Sequence, residues 1–290
     1  MTDLTPMEPS DRLELGEGIR WADGRLVLVD ILTGRLMTPR QDGTGPLRTL
    51  ARLDVPLGAV APVAGRPGAW IAAAGTGVCL LRPGTAPEWP ATPERDAPTR
   101  MRMNDGCADP YGRFWAGSMA CDGTPDAGSL YRVGPDGTVT RVLGGITIPN
   151  GPAFDRDGTT MYLADSARGL VRRYPVHPRD GDLGAGEEFV RVEDGSPDGM
   201  TVDAEGALWT AVWGAGEVRR YLPDGTLGTV LRLPVAQPAG ICLGGDDGRT
   251  LYVTTARVGL PAPGPLDGAV FRGRVDVPGP PAAAYGSPAI

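Results

Sequence analysis

A single histidine, four scattered cysteines and the lack of any long apolar run restrict this chain before its motifs are read. His177 lies in YPVHPRDGD between prolines and reads as an exposed loop residue. A Ser-His-Asp triad and a histidine-ligated metal are therefore set aside. Cys79, Cys107, Cys121 and Cys242 form no CxxC pair and no cluster. That argues against structural zinc and against a disulfide framework, and reduced buried thiols are the expectation. No segment approaches the roughly 18 apolar residues of a membrane helix. The opening MTDLTPMEPSDRLEL has neither the basic start nor the apolar core of a secretory signal. A cytoplasmic protein with no membrane partner is expected. A basic face is missing too: the formal charge is −7, which argues against nucleic acid as a partner.

Glycine and proline are abundant instead. The 44 glycines and 30 prolines exceed a quarter of the 290 residues, a proportion that marks disorder when apolar residues are scarce. Here hydrophobic residues make up 41% and fall in short regular runs, so the composition describes a turn-rich globular fold. Six glycines each precede a β-rich run: Gly24 (RLVLVD), Gly68 (AWIAAA), Gly112 (RFWAGSM), Gly158 (TTMYLADS), Gly206 (ALWTAVW) and Gly248 (RTLYVTTA). Their spacing of roughly 45 residues is that of a four-stranded propeller blade. Second hairpins follow, as in GSLYRVGPDGTVTRV and GEVRRYLPDGTLGTVLRL, each turning at Pro-Asp-Gly. No stretch holds a helical period. The expectation is all-β: one six-bladed β-propeller domain over 1–290, with repeats over about 12–275. Two β-sandwiches would not explain a constant period. The Pro-rich stretch 82–99 is assigned to the outer hairpin of the second blade and its return. The Pro-rich tail 277–290 is expected to be frayed or laid along the surface.

One position in the repeat carries polar groups. About eight residues before each turn glycine stand Val60, Asn104, Asn150, Asp198 and Gly240, with Glu17 one residue closer. In a propeller this slot opens the innermost strand, so its side chains converge on the channel. Two carboxylates there would repel and be desolvated, and a divalent cation relieves both costs. The all-oxygen donor set suits Ca²⁺, Mg²⁺ or Mn²⁺ better than metals that favour soft ligands. The bland alternative is that Asn-Gly and Asp-Gly are ordinary turn dipeptides. Asp136 and Asp224 fit that description, because each lies mid-hairpin before a threonine. Asp198 differs, since the apolar strand MTVD follows it. Arg102, two residues before Asn104, shares its face of the strand and could offer planar donors to a substrate oxygen. Asp30 and Asp165 end inner runs and read as hydrogen-bonded turn acids. The GxG at 75–77 opens no helix and is no nucleotide fingerprint.

The segments LGEGIRW, RMRMNDGCADPYGRFWAGSM, PNGPAFDRDGTTMYLADS and SPDGMTVDAEGALWTAVWGAGEVRRYLPDG, with TLYVTTAR and GAVFRGRV after them, closely resemble the SMP-30/gluconolactonase/LRE-like family. The resemblance covers roughly residues 12–275. It implies a six-bladed propeller with one catalytic divalent cation (Ca²⁺, Zn²⁺, Mn²⁺, Mg²⁺ or Fe²⁺) and hydrolysis of a sugar lactone such as gluconolactone or a pentonolactone. Carried over residue by residue, it makes Glu17, Asn150 and Asp198 the metal ligands. Asp198 is also the general base, and Arg102 and Asn104 hold the substrate. The slot alone leaves its four polar members equal; the resemblance divides them. Several sugar-lactone members carry a substrate-binding glutamate shortly after the AG[ST]M segment. This chain reads Ala120, Cys121, Asp122 there, with Asp122 as the substitute contact. Two alternatives stand beside the lactonase. One is a phosphotriesterase or fluorophosphate hydrolase on the same scaffold, and the other a metal-stabilised propeller that binds without chemistry. A small-molecule lactone is the expected partner, and a monomer or weak homo-oligomer the expected state.

Overall fold

A computed structural model describes residues 3–7, 11–40 and 45–286. β1 (Thr5–Pro6) opens the chain. The first blade follows with β2 (Gly16–Ala22), β3 (Arg25–Asp30), β4 (Arg35–Thr38) and β5 (Arg48–Arg52). The second holds β6 (Leu57–Pro62), β7 (Trp70–Ala74), β8 (Gly77–Leu81) and β9 (Glu88–Ala91). The third holds β10 (Met101–Ala108), β11 (Phe114–Ala120), β12 (Gly128–Val133) and β13 (Val139–Ile146). The fourth holds β14 (Pro149–Phe154), β15 (Thr160–Asp165), β16 (Leu170–Pro175) and β17 (Glu187–Arg191). The fifth holds β18 (Ser196–Val202), β19 (Leu208–Trp213), β20 (Glu217–Tyr221) and β21 (Leu227–Arg232). The sixth holds β22 (Pro238–Gly244), β23 (Thr250–Thr255) and β24 (Val270–Arg274). Strands pair antiparallel in chain order within each blade, giving the six-bladed β-propeller that the repeats predict.

The sixth blade takes its outer strand from the N-terminus. Thr5 pairs with Arg272 and Pro6 with Phe271, so the two ends of the chain close one ring. A proline is acceptable there because an edge strand asks for no further donor. The repeats therefore begin upstream of residue 12, in a two-residue strand too short to leave a pattern.

Each of the six turn glycines joins an inner strand to its neighbour with a left-handed φ between 67° and 78°. Turn acids brace the hairpins. Asp109 Oδ2 accepts the indole N–H of Trp115 at 2.8 Å, and Asp203 Oδ2 accepts that of Trp209 at 2.8 Å, two blades later. Asp30 caps Glu14 and Leu15 N–H, and Asp165 caps Thr147 and Ile148 N–H, so both are structural acids. The core lies between blades: Val27, Val29, Val60 and Ala72 join the first to the second, and Leu26, Leu28, Cys242 and Tyr252 join the sixth back to the first. Apolar faces on both sides of every sheet are what bury the runs of apolar residues.

Of the two courses expected for the tail, residues 277–286 take the second and are laid along the surface. At the turn-glycine end of the channel, Ala204 N–H donates to Pro278 O (2.8 Å) and Gly279 N–H to Gly248 O (2.9 Å). Ala282 N–H donates to Trp21 O (3.1 Å), Tyr285 N–H to Pro62 O (2.8 Å) and Gly286 N–H to Gly112 O (2.9 Å). The strap thus crosses from the fifth and sixth blades over the first to the second and third. Beneath it lies a cavity of about 130 Å³, and neither Glu17 nor Asp198 lines it. Residues 287–290 lie outside the described ones. Stretch 82–99 does hold the outer strand β9 and its return, which Glu94 N–H to Thr76 O (3.1 Å) and Cys121 N–H to Arg100 O (2.8 Å) tie down at the opposite channel mouth. Among the described residues, no helix is long and apolar enough to cross a membrane.

Candidate metal centre and active site

The inner strands break their ladders near one mouth, and the break aims the polar slot inward. In β10 the pairing jumps from Met103 to Gly106, leaving Asn104 and Asp105 unpaired. In β18 it jumps from Pro197 to Met200, leaving Asp198 and Gly199 unpaired. In β2 and β14 the last paired residues before the break are Glu17 and Asn150. A bulge of this kind turns side chains that a regular strand would send into the sheet interfaces. The four slot residues thus occupy two adjacent register positions rather than one. The second blade corrects the sequence reading: its unpaired residue is Gly58, whereas Val60 pairs with Ala72 and packs in the core.

All four are buried. The carboxyl groups of Glu17 and Asp198 act on one another's protons across the gap that the sixth blade leaves. Gly240 makes that gap. A Cβ there would lie 2.9 Å from Glu17 Oε2 and 2.7 Å from Thr254 Oγ1. On the other side, a polar chain links three blades. Arg102 Nη1 donates to Asn104 Oδ1 at 2.6 Å, and Asn104 Nδ2 donates to Pro149 O (2.9 Å) and Asn150 Oδ1 (3.0 Å). Asn150 Nδ2 donates to Ser166 Oγ at 2.8 Å, and Ser166 Oγ donates to Pro197 O at 2.5 Å, one residue before Asp198. Both amide hydrogens of Asn104 are committed, so it positions Asn150 and Arg102 and keeps one lone pair free.

Burial first, then the neighbouring charges of Asp198 and Asp105, hold the Glu17 carboxyl well above its ordinary range. Burial and Asp105 likewise push Asp198 up to about 8. Two buried carboxyl groups in contact need either a shared proton or a cation between them. With the amide oxygen of Asn150 the donors are all oxygen and all hard, and the room beside Glu17 is kept by a glycine. The residues present therefore fit a divalent cation, with Glu17, Asn150 and Asp198 as its holders. Among the described residues no cluster of three or more His, Cys, Asp or Glu offers a richer site.

Sequence reading missed Asp105. It is buried beside the slot, where Gly106 N–H (2.7 Å), Gly151 N–H (3.1 Å) and Arg20 Nη2 (3.4 Å) occupy its oxygens. Burial raises its pKa, and the Arg20 guanidinium opposes that rise. Asp105 thus adds negative potential without adding a free ligand. Asp122 stands exposed on the rim, where its Oδ1 accepts from Thr124 N–H (3.0 Å) and Thr124 Oγ1 (2.7 Å). Cys121, not Asp122, lines the cavity beside Arg102. His177 is exposed against Asp180, far from this chemistry in role and in setting. All four cysteines are free; Cys79 and Cys242 are buried, but Cys121 is exposed.

Residues 15–257 match the family described as the SMP-30/Gluconolactonase/LRE-like region. The chain belongs to that family. Among its relatives is 6-deoxy-6-sulfogluconolactonase of Pseudomonas putida, 36% identical over 277 residues that span 91% of this chain and 92% of the relative. Pentonolactonase XacC of Haloferax volcanii is 42% identical over 163 residues, 56% of this chain and 55% of that one. Among solved structures, a calcium-binding regucalcin of Agrobacterium tumefaciens superposes with a TM-score of 0.88 at 30% identity, covering 97% of this chain and 99% of that one. The family accounts for the propeller.

Proposed function

We propose that the protein hydrolyses a sugar lactone to its open hydroxy acid, using a divalent cation held by Glu17, Asn150 and Asp198. The observation that carries this reading is the buried Glu17–Asp198 carboxyl contact at the mouth of the channel. The lactonases among the relatives support the substrate class. When bound, the cation supplies Lewis acidity toward a carbonyl oxygen and makes a coordinated water more acidic.

The remaining steps belong to the side chains. Asp198 takes a proton from the attacking water, the general-base role open to a carboxylate placed beside the cation site. The water oxygen bonds to the lactone carbon, and the ring C–O bond breaks. The proton held by Asp198 then passes to the departing ring oxygen, which becomes the hydroxyl of the product. Arg102 and the remaining lone pair of Asn104 orient the substrate, while Asn104 fixes the amide of Asn150. Asp105 ties the third inner strand to the fourth through Gly151 N–H, and its partner Arg20 ties the third to the first.

A panel of gluconolactone, pentonolactones and paraoxon, followed by acid release, tests the reading. It is run as purified, after chelation, and with single divalent ions returned. Lactone turnover that is lost on chelation and restored by one ion is expected. Turnover of paraoxon alone would replace the lactonase with a phosphotriesterase, and no turnover with any metal would leave a binding propeller.

A further inference from the structure

A cavity of about 570 Å³ opens at the same mouth, between the return of the second blade and the first strand of the third. Arg95, Arg100 and Arg102 all line it, with Glu94 as the acid in its wall. Glu94 is buried, and its Oε1 accepts from Ser118 Oγ (2.5 Å) and Tyr131 OH (2.9 Å) rather than from an arginine. Arg102 Nη1 donates only to neutral oxygens, those of Asn104 and Met103. Arg95 and Arg100 are exposed, and neither side chain forms an ion pair or hydrogen bond among the described residues. In the wall of this cavity three guanidinium groups thus stand with one carboxyl, in a chain whose net charge is −7; Arg102 also feels Glu17 and Asp198, which leaves Arg95 and Arg100 as the uncompensated pair. Concave walls concentrate such a field on whatever enters. Guanidinium groups match the planar oxygens of carboxylate, sulfonate and phosphate.

We infer that this cavity binds an anionic substituent of the substrate, carried at the end of the sugar remote from the lactone carbonyl, and that Arg95 and Arg100 set the preference. That the anion is carried on a substrate rests on the lactonase reading; the cationic character of the cavity does not. Trp89, partly exposed in the same wall, gives the sugar an apolar face to lie against.

Two measurements on the full chain separate these parts. Cys121 is the exposed thiol and lines the cavity, so it reports the local field without any lactone. The rates at which it reacts with an anionic and a cationic methanethiosulfonate are measured and divided by those of mercaptoethanol, with Cys121→Ser as the control for other thiols. The cavity field should favour the anionic reagent by about tenfold. In the double variant Arg95→Gln/Arg100→Gln the ratio should fall back toward that of the free thiol. A ratio equal to that of mercaptoethanol in the unaltered protein overturns the proposal. The second arm compares kcat/KM for glucaro-1,4-lactone and glucono-1,4-lactone, which differ by a carboxylate at C6, and for glucono-1,5-lactone with and without a 6-phosphate. An anionic preference of about tenfold, carried by KM and reduced in the double variant, is expected. The carboxylate and phosphate arms identify which anion is taken. Preference for the neutral lactones overturns the proposal. Reactivity toward the anionic reagent with no lactone turnover would sustain the anion site and remove the lactonase reading instead.

Discussion

Asp198→Asn should make the metal-free protein more stable while it abolishes turnover. The reason lies in the contact with Glu17. Burial and the charge of Asp105 push Asp198 from an ordinary value near 3.8 up to about 8. At about 1.4 kcal/mol per pH unit, keeping that carboxylate ionised in the fold above pH 8 costs on the order of 5 kcal/mol. Glu17 is raised in the same direction, so the cost belongs to the pair. An asparagine keeps an oxygen for the Gly199 N–H and turns its amide toward the Glu17 carboxylate as a donor. A gain of roughly 2–4 kcal/mol at pH 9 is expected, a rise of about 3–7 °C in Tm for a chain of this size. The sign follows from where the protons sit. Below about pH 4 both folded and unfolded chains hold the proton, and the substitution changes little. As pH rises from 4 to 8 the unfolded chain releases the proton while the fold keeps it, so the unaltered protein loses stability over that window. The gap between variant and parent therefore opens across pH 4–8 and is full above it. Thermal unfolding in a chelator at pH 5, 7 and 9 measures it. A saturating divalent cation should reverse the order, because it binds and stabilises the parent and not the variant. Turnover should fall by about 10³-fold or more. A chelated variant that melts at or below the parent at pH 9 would refute the reasoning.

Gly240→Ala places a methyl 2.9 Å from Glu17 Oε2; divalent-ion affinity should fall by about 10–100-fold by calorimetry, with the far-UV circular dichroism unchanged. Tyr285→Ala removes a buried ring and its hydrogen bond to Gly134 O, and should cost about 2–4 kcal/mol in urea unfolding. Turnover per folded molecule should stay within about twofold, since the strap covers the far end of the channel. Asn104→Ala cuts the links to Arg102, Pro149 and Asn150; kcat/KM should drop by roughly 10²-fold and metal affinity with it. Asp122→Ala, on a carboxylate already engaged by Thr124, should change kcat/KM by less than about threefold.

How much of this was legible in the sequence depends on what leaves a mark there. A left-handed turn admits few residues besides glycine, so the six hairpin glycines declared the blades. A bulge leaves no such mark, because the unpaired residue may be of any type. Counting back from a turn therefore confuses the length of the loop with the register of the strand, which is how Val60 came to stand for Gly58 and why Glu17 falls one residue out of step. Asp105 was hidden for a related reason: Asp-Gly reads as a turn. The structure separates two uses of that dipeptide. At Gly137, in a hairpin, an added Cβ would meet nothing within 4 Å, so the glycine serves backbone conformation alone. At Gly106 it would lie 2.4 Å from Trp115 O, and at Gly199 2.8 Å from Ala239 O. Those glycines let another strand approach, within the blade at Gly106 and from the next blade at Gly199. The polar residue before each is then carried into the channel by the same close packing. A polar-glycine pair that opens an apolar strand, as in NDGCA or PDGMTV, marks such an approach, whereas one followed by threonine inside a hairpin marks a turn. That distinction rests on packing between strands, and it assigns Asp105 to the channel alongside Asp198.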